Sequence, residues 1–158
     1  MFRKCRNLDE RQLLERGNVF QHVCILLFVL LLANGLLRAD GITWAAGMYE
    51  EMLILWAGLS LAFIEFIIRE ITPMGNAMKL FYVIIGIGGA FLGGMALVHH
   101  FYYGDSLVER GALTVLGGSL IEGGMMFVIL LVFLCKSIYN HLQARKDSEE
   151  ELSVDKSR

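Results

Sequence analysis

Four apolar runs, separated by short polar gaps and bounded by charged ends, set the pattern of this chain. They cover about residues 19–37, 52–68, 80–98 and 111–135. Each approaches or exceeds the ~20 residues that a helix needs to cross the hydrocarbon core of a bilayer. No Asp, Glu, Lys or Arg occurs between Arg16 and Arg38, so the first run is uninterrupted. A cleaved signal peptide is the rival reading of that run, with Ala33-Asn34-Gly35 as its cleavage site. The long leader with Asp9, Glu10 and Glu15 favours a retained helix instead. The gaps are short, which favours antiparallel neighbours. The pattern predicts an all-α integral membrane protein, a four-helix up-down bundle.

The polar stretches add direction. Residues 1–18 form a basic leader in which Asn7 and Glu10 have the spacing of a helix start. Leu8, Leu13 and Leu14 give it a thin apolar side, and Arg3, Lys4 and Arg6 suit anionic headgroups. Trp44 and Tyr49 in the first gap suit a membrane interface. Pro73, the one proline, lies in Thr72-Pro73-Met74-Gly75-Asn76 and marks a turn. Residues 136–158 form a polar tail. Its first part continues the fourth helix, and its end, from Glu149-Glu150-Glu151 onward, is expected to be disordered. Lys and Arg number five in the leader, two in the gap after the second run and five in the tail, against one in each remaining gap. Twelve against two predicts both termini in the cytoplasm.

Composition narrows the function classes. At 158 residues, 56% hydrophobic, the chain has the length of one domain and is far more apolar than a soluble one. Its net charge of -2 leaves no footprint for nucleic acid. The expected partners are the lipid bilayer and a second membrane protein or a second copy of this chain. No HExxH, GxSxG or CxxC motif occurs. Gly86-Ile-Gly88-Gly89 lies inside a span and lacks the spacing of a nucleotide loop. His22 lies near one face and His99 and His100 near the other, so no haem pair forms. His99 and His100 with Asp105, Glu109, Glu50 and Glu51 are candidates for an outer cation site, though ordinary solvation is favoured. No resident cofactor or metal is expected. Cys24 and Cys135 read as buried structural thiols, and Cys5 as a leader residue under reducing conditions.

The ionisable residues inside the runs carry the candidate chemistry. Glu122 stands near the middle of the fourth run with Gly117, Gly118, Gly123 and Gly124 around it. A carboxyl at depth is costly and should face protein or water. Gly111, Thr114, Gly118 and Glu122 recur at helical spacing and share a face. Taking run midpoints as levels makes Ser60 its nearest polar neighbour. Glu122 and Ser60 thus form a candidate proton or cation site, weighed evenly against a neutral, hydrogen-bonded acid. Gly86, Ala90 and Gly94 form one small-residue ridge on the third run, and Gly89 and Gly93 a second. With Gly118 they predict close packing of the third and fourth helices. Glu65 precedes Arg69 by four residues and reads as an interfacial ion pair.

Asp9-Glu10-Arg11-Gln12, shortly before the first run, resembles an Asp-Glu-x-Gln/Glu element of small multi-span bacterial membrane proteins that have no assigned activity. The resemblance implies a bacterial inner-membrane location and no mechanism. Small multidrug transporters also combine four spans with one intramembrane Glu, but theirs lies in the first span. Their antiparallel dimers also need a weak charge bias, which twelve against two excludes. The expected function is a non-enzymatic accessory or regulatory membrane component. The alternative is a small proton-coupled transporter using Glu122. An enzyme comes last, since no nucleophile–base pair is evident.

Overall fold

A computed structural model describes residues 10–71 and 76–156. Asn7 at the expected helix start, Cys5 and the Pro73 turn lie outside the described residues. Four helices carry the chain: α1 (Glu10–Ala39), α2 (Tyr49–Ile68), α3 (Asn76–Val98) and α4 (Val115–Lys156). All four are long and apolar enough to cross a membrane. The helical bundle expected from the four runs is the observed architecture.

Named contacts fix the helix directions. Val19 of α1 packs with Ala62 and Phe66 of α2, while Arg38 near the far end of α1 meets Glu50 at the start of α2. These helices are therefore antiparallel. α2 and α4 run parallel, since Tyr49 bonds Ser119 at one end and Glu70, just past α2, meets Lys136 at the other. α3 and α4 are antiparallel, with Gly86 against Leu130 and Gly89 against Gly123. The N-terminus of α1 and the C-terminus of α4 consequently share one end of the bundle, the terminal end. The loops 40–48 and 104–114 make up the other, the hairpin end. α4 packs on both α2 and α3, and α1 packs on α2. Near the terminal end α2 also reaches α3, where the Phe63 ring lies 5.6 Å from Phe81 and 5.9 Å from Tyr82.

Two apolar clusters hold this arrangement. Val19, Ala62, Phe66 and Ile71 join α1 to α2. Ile67, Met78, Tyr82 and Ile129 join α2, α3 and α4. Outside them, Phe28, Leu32 and Leu36 of α1 and Ile84, Ile87 and Phe91 of α3 are exposed. Apolar surface of that extent is a liability in water. It is the expected covering of helices surrounded by lipid.

The α3–α4 contact uses fewer small residues than the two predicted ridges. A Cβ at Gly86 would collide with Leu130, and one at Gly89 with Met126 and the Gly123 carbonyl. The Gly93 main chain does lie against Gly123, where an added Cβ would come within 2.6 Å of Gly93 N, although a Cβ on Gly93 itself would meet only ordinary contacts at 3.9 Å and beyond. Gly94 has open space, and Ala90 is exposed. Gly118 turns away from α3 and lies against the Tyr49 ring of α2. A helix gains about 100° per residue, so positions four apart drift by about 40° and leave a straight contact line after two repeats.

Two helices exceed the membrane. α1, 30 residues, extends about 45 Å and α4, 42 residues, about 63 Å, against a hydrocarbon core of ~30 Å. The expected disordered tail end is instead helical to Lys156. Residues 136–156 contain no Gly or Pro and many strong helix formers. They extend a helix already formed, so no nucleation penalty applies.

The hairpin end also departs from the predicted spans. Val108–Glu109 pairs with Ala112–Leu113 in an antiparallel hairpin. Its turn residues, Arg110 (φ 51°) and Gly111 (φ 85°), both take the left-handed conformation that tight hairpins need. Leu113 also exchanges backbone bonds with the first loop, donating to the Trp44 carbonyl and accepting from Ala46 N–H, each at 2.8 Å. Thr114 then starts α4. Its hydroxyl donates to the carbonyls of Ser106 (2.7 Å) and Leu107 (3.1 Å) and accepts from Gly117 N–H at 3.2 Å, the action of an N-cap. The fourth membrane helix therefore begins at Val115 and not at Gly111.

Candidate functional site

The later start of α4 changes the position of Glu122. Seven residues separate it from Val115, about 10 Å along the axis, while Lys136 lies about 21 Å further on. Glu122 therefore belongs to the hairpin-side half of the span and not to its centre. Around the helix it stands about 40° from Gly118, which meets α2, and about 40° the other way from Met126, which meets α3. That directs its side chain into the gap between α2 and α3. It is half-buried, and among the described residues it makes no hydrogen bond or ion pair.

Ser60 is not at this level. Tyr49–Ser119 and Glu70–Asn140 are both pairs 70 positions apart, which fixes the parallel register of α2 and α4. The same offset sets Ser60 beside Leu130, about 12 Å along the axis from Glu122. Ser60 is buried, and its hydroxyl has no partner among the described residues. Equating run midpoints concealed the offset, because α2 and α4 are staggered: with pairs 70 positions apart, the second run, 52–68, lies level with residues 122–138 of α4.

Glu65 and Arg69 sit within ion-pair distance, Arg69 Nη2 lying 3.1 Å from Glu65 Oε2. The structure adds a third member, His22 of α1, whose Nδ1 lies 2.8 Å from Glu65 Oε1. Since an ionised carboxylate only accepts, Nδ1 carries the proton in that bond. Glu65 thereby ties α1 to α2 in addition to bracing its own helix. His22 escaped the sequence reading because its partner lies 43 residues away.

The densest polar assembly is at the hairpin end. Glu50 is only 1% exposed. Its carboxylate accepts from Arg38 Nε at 2.7 Å and from Trp44 N–H at 2.9 Å. A second Arg38 nitrogen reaches Glu51 at 2.6 Å. Trp44 Nε1–H donates at 2.7 Å to Asn34, a buried side chain of α1. Asn34 is thus a hydrogen-bond acceptor within α1. Ser119 Oγ donates to the Val115 carbonyl at 2.9 Å, so Tyr49 donates its own proton to Ser119 at 2.8 Å. These bonds lock the first loop onto the helix ends.

The candidate outer cation site is not assembled. Glu50 and Glu51 are engaged by Arg38. His99 and His100 lie in a widened π-helical turn, His99–Tyr103. Both reach Asp105, His99 through the carboxylate at 3.2 Å and His100 through the backbone carbonyl at 2.8 Å. Among the described residues no group of three His, Cys, Asp or Glu side chains could hold a metal ion. Cys24 and Cys135 are exposed, not buried. A thiol is apolar enough to face lipid, so hydrophobicity alone did not assign its side of the helix.

At the terminal end, Glu70 (φ 58°) follows α2 in the left-handed conformation. Asn140 Nδ2 donates to it at 2.9 Å, and Lys136 Nζ lies 3.1 Å away. The Asn140 amide and then the Lys136 ammonium hold its carboxyl below the usual glutamate range. Glu70 borders a cleft of about 340 Å³ between the ends of α2, α3 and α4. No family model, curated protein or solved structure matches the chain.

Proposed function

We propose that this chain is a non-enzymatic accessory or regulatory component of a bacterial inner membrane, with both termini in the cytoplasm. The observation that carries the reading is the pair of helical overhangs at the terminal end. α1 and α4 together supply arms far longer than anchoring requires. Rigid charged helices held beside a bilayer are suited to engaging a partner. The resemblance of Asp9-Glu10-Arg11-Gln12 to small bacterial membrane proteins, and the twelve-to-two charge bias, support the location and orientation.

A second reading, proton-coupled transport, is favoured by one observation: Glu122 is half-buried in the apolar region without a described partner. In the accessory reading, the same carboxyl hydrogen-bonds a helix of a partner protein or a second copy. The test uses a photoreactive residue in place of Gly94, which has open space and lies near the level of Glu122. Crosslinking in intact membranes is compared for the native residue, Glu122→Gln and Glu122→Ala. A discrete adduct that survives in Gln and is lost in Ala supports an accessory contact, because Gln retains hydrogen-bonding capacity. Loss of vesicle proton flux in Glu122→Gln, with normal folded yield and no adduct, supports the transport reading and removes the accessory one.

A further inference from the structure

The cleft at the terminal end has a graded lining. On each contributing helix, a charged or polar residue lies toward the helix end and a bulkier, less polar residue one turn deeper. Glu70 lies above Ile67, Lys79 above Tyr82, and Lys136 with Asn140 above Phe133. The apolar part of α2 ends at Ile68 and that of α4 at Cys135, so the charged rim is at headgroup level and Ile67 and Phe133 are at acyl level. Two further observations concern unused donors. Lys79 has no ion pair among the described residues. Tyr82 is 1% exposed, and its hydroxyl lacks a hydrogen-bond partner among those residues. An unmet buried hydroxyl is costly, so a ligand acceptor there is favoured.

We propose that this cleft binds the phosphodiester headgroup of an anionic membrane phospholipid. Lys79 and Lys136 supply two positive charges and Glu70 one negative, leaving one positive charge to meet the single negative charge of a phosphodiester. Glu70 is already satisfied by Lys136 and Asn140, and that pairing orients the Lys136 ammonium beside the cleft. Ser137 on the same wall adds a hydroxyl. The phosphate oxygens accept from Lys79, Lys136 and the Tyr82 hydroxyl, while Ile67 and Phe133 meet the start of the acyl chains. Basic clefts at the cytoplasmic ends of membrane helices recognise headgroups by this chemistry. The cleft lies at the opposite end of the bundle from Glu122, so the role of that carboxyl does not bear on its ligand.

The test uses the full chain in a neutral detergent. Phosphatidylglycerol, phosphatidylcholine or glycerol 3-phosphate is added, with the unfolding midpoint and bound lipid in native mass spectra as readouts. Phosphatidylglycerol should raise the midpoint and remain bound, whereas phosphatidylcholine, whose ammonium cancels the charge, should do neither. Lys79→Gln and Tyr82→Phe should each weaken lipid binding by about tenfold. Lys79→Gln breaks no described ion pair, and Tyr82→Phe preserves the ring stacked near Phe63 and Phe133, so both variants should fold. Arg145→Gln, an exposed cation farther along α4, is the control and should leave binding unchanged. Native-level binding by Lys79→Gln overturns the proposal. So does an equal loss in Arg145→Gln, which marks general charge attraction, or a full shift with glycerol 3-phosphate, which marks a soluble phosphate site.

Discussion

Replacing Gly89 by Ala adds one methyl group to the closest approach of α3 and α4. Its Cβ would lie 2.6 Å from the Gly123 carbonyl oxygen and 2.9 Å from the Phe127 nitrogen, besides colliding with Met126. Most of these are main-chain obstacles, so side-chain rotation cannot relieve them. Ordinary carbon contacts need ~3.5–4.0 Å, and the helices must therefore separate by about 1 Å. Overpacking of this kind costs about 1–3 kcal/mol. Ala also favours helix over Gly by about 1 kcal/mol, which opposes the loss. The balance is a net destabilisation of about 0–2 kcal/mol at Gly89. At Gly94 the same substitution meets nothing within 4 Å, so only the helix gain remains, a stabilisation of up to about 1 kcal/mol. Gly93→Ala, with contacts at 3.9 Å and beyond, should behave like Gly94→Ala. Reversible unfolding in mild detergent, followed by circular dichroism at matched detergent concentration, gives the comparison. The expected order of stability is Gly94→Ala and Gly93→Ala at or above the parent, with Gly89→Ala below it. Equal effects at Gly89 and Gly94 would refute the contact geometry.

Two further outcomes follow from polar contacts. Glu70 has a depressed native pKa, so its contribution is present above its ordinary value of 4.5 and lost as pH falls through the lower native value. Stability should therefore decline more steeply below about pH 4.5 in the parent than in Glu70→Gln; parallel acid profiles would remove Glu70 from the linkage. Arg38→Gln takes the cation from buried Glu50 and should loosen the loop held through Trp44. In a Trp56→Phe background, Trp44 emission should shift red and become more quenchable; an unchanged spectrum would mean that Arg38 does not hold the loop.

The bundle was legible because bilayer thickness acts on long segments. A run such as residues 19–37 has few ways to satisfy its backbone in lipid except as a helix. Helix ends were less legible, because they depend on single residues. Thr114 caps α4 by holding carbonyls from residues 106 and 107 as well as its own first turn, a role that Thr-Val-Leu-Gly alone does not announce. The hairpin had a local signal in Arg110-Gly111, but alternating runs of two residues are too short to register as strands. The tail differs from expectation for the opposite reason. Its polarity implies an inability to bury surface, whereas a helix already nucleated can continue through polar residues without burying any.

The site residues divide along the same line. Glu65 and Arg69 are neighbours on one helix, and their spacing made the pair visible. His22, Asn34 and Glu50 reach partners on other segments, and no local period records those meetings. Glu122 was found because a charge in an apolar run stands out, yet its level was wrong by part of a span. Run midpoints do not set the level, because α2 and α4 are staggered and residues 52–68 lie beside 122–138. The parallel register then sets Ser60 about 12 Å away and leaves Glu122 facing the gap between α2 and α3. A carboxyl in that position has no Ser60 to share a proton with, so any acceptor or donor that meets it must enter through the gap. That requirement is common to a partner helix and to a proton path, and it is why the Gln and Ala replacements, which separate hydrogen bonding from titration, distinguish the two.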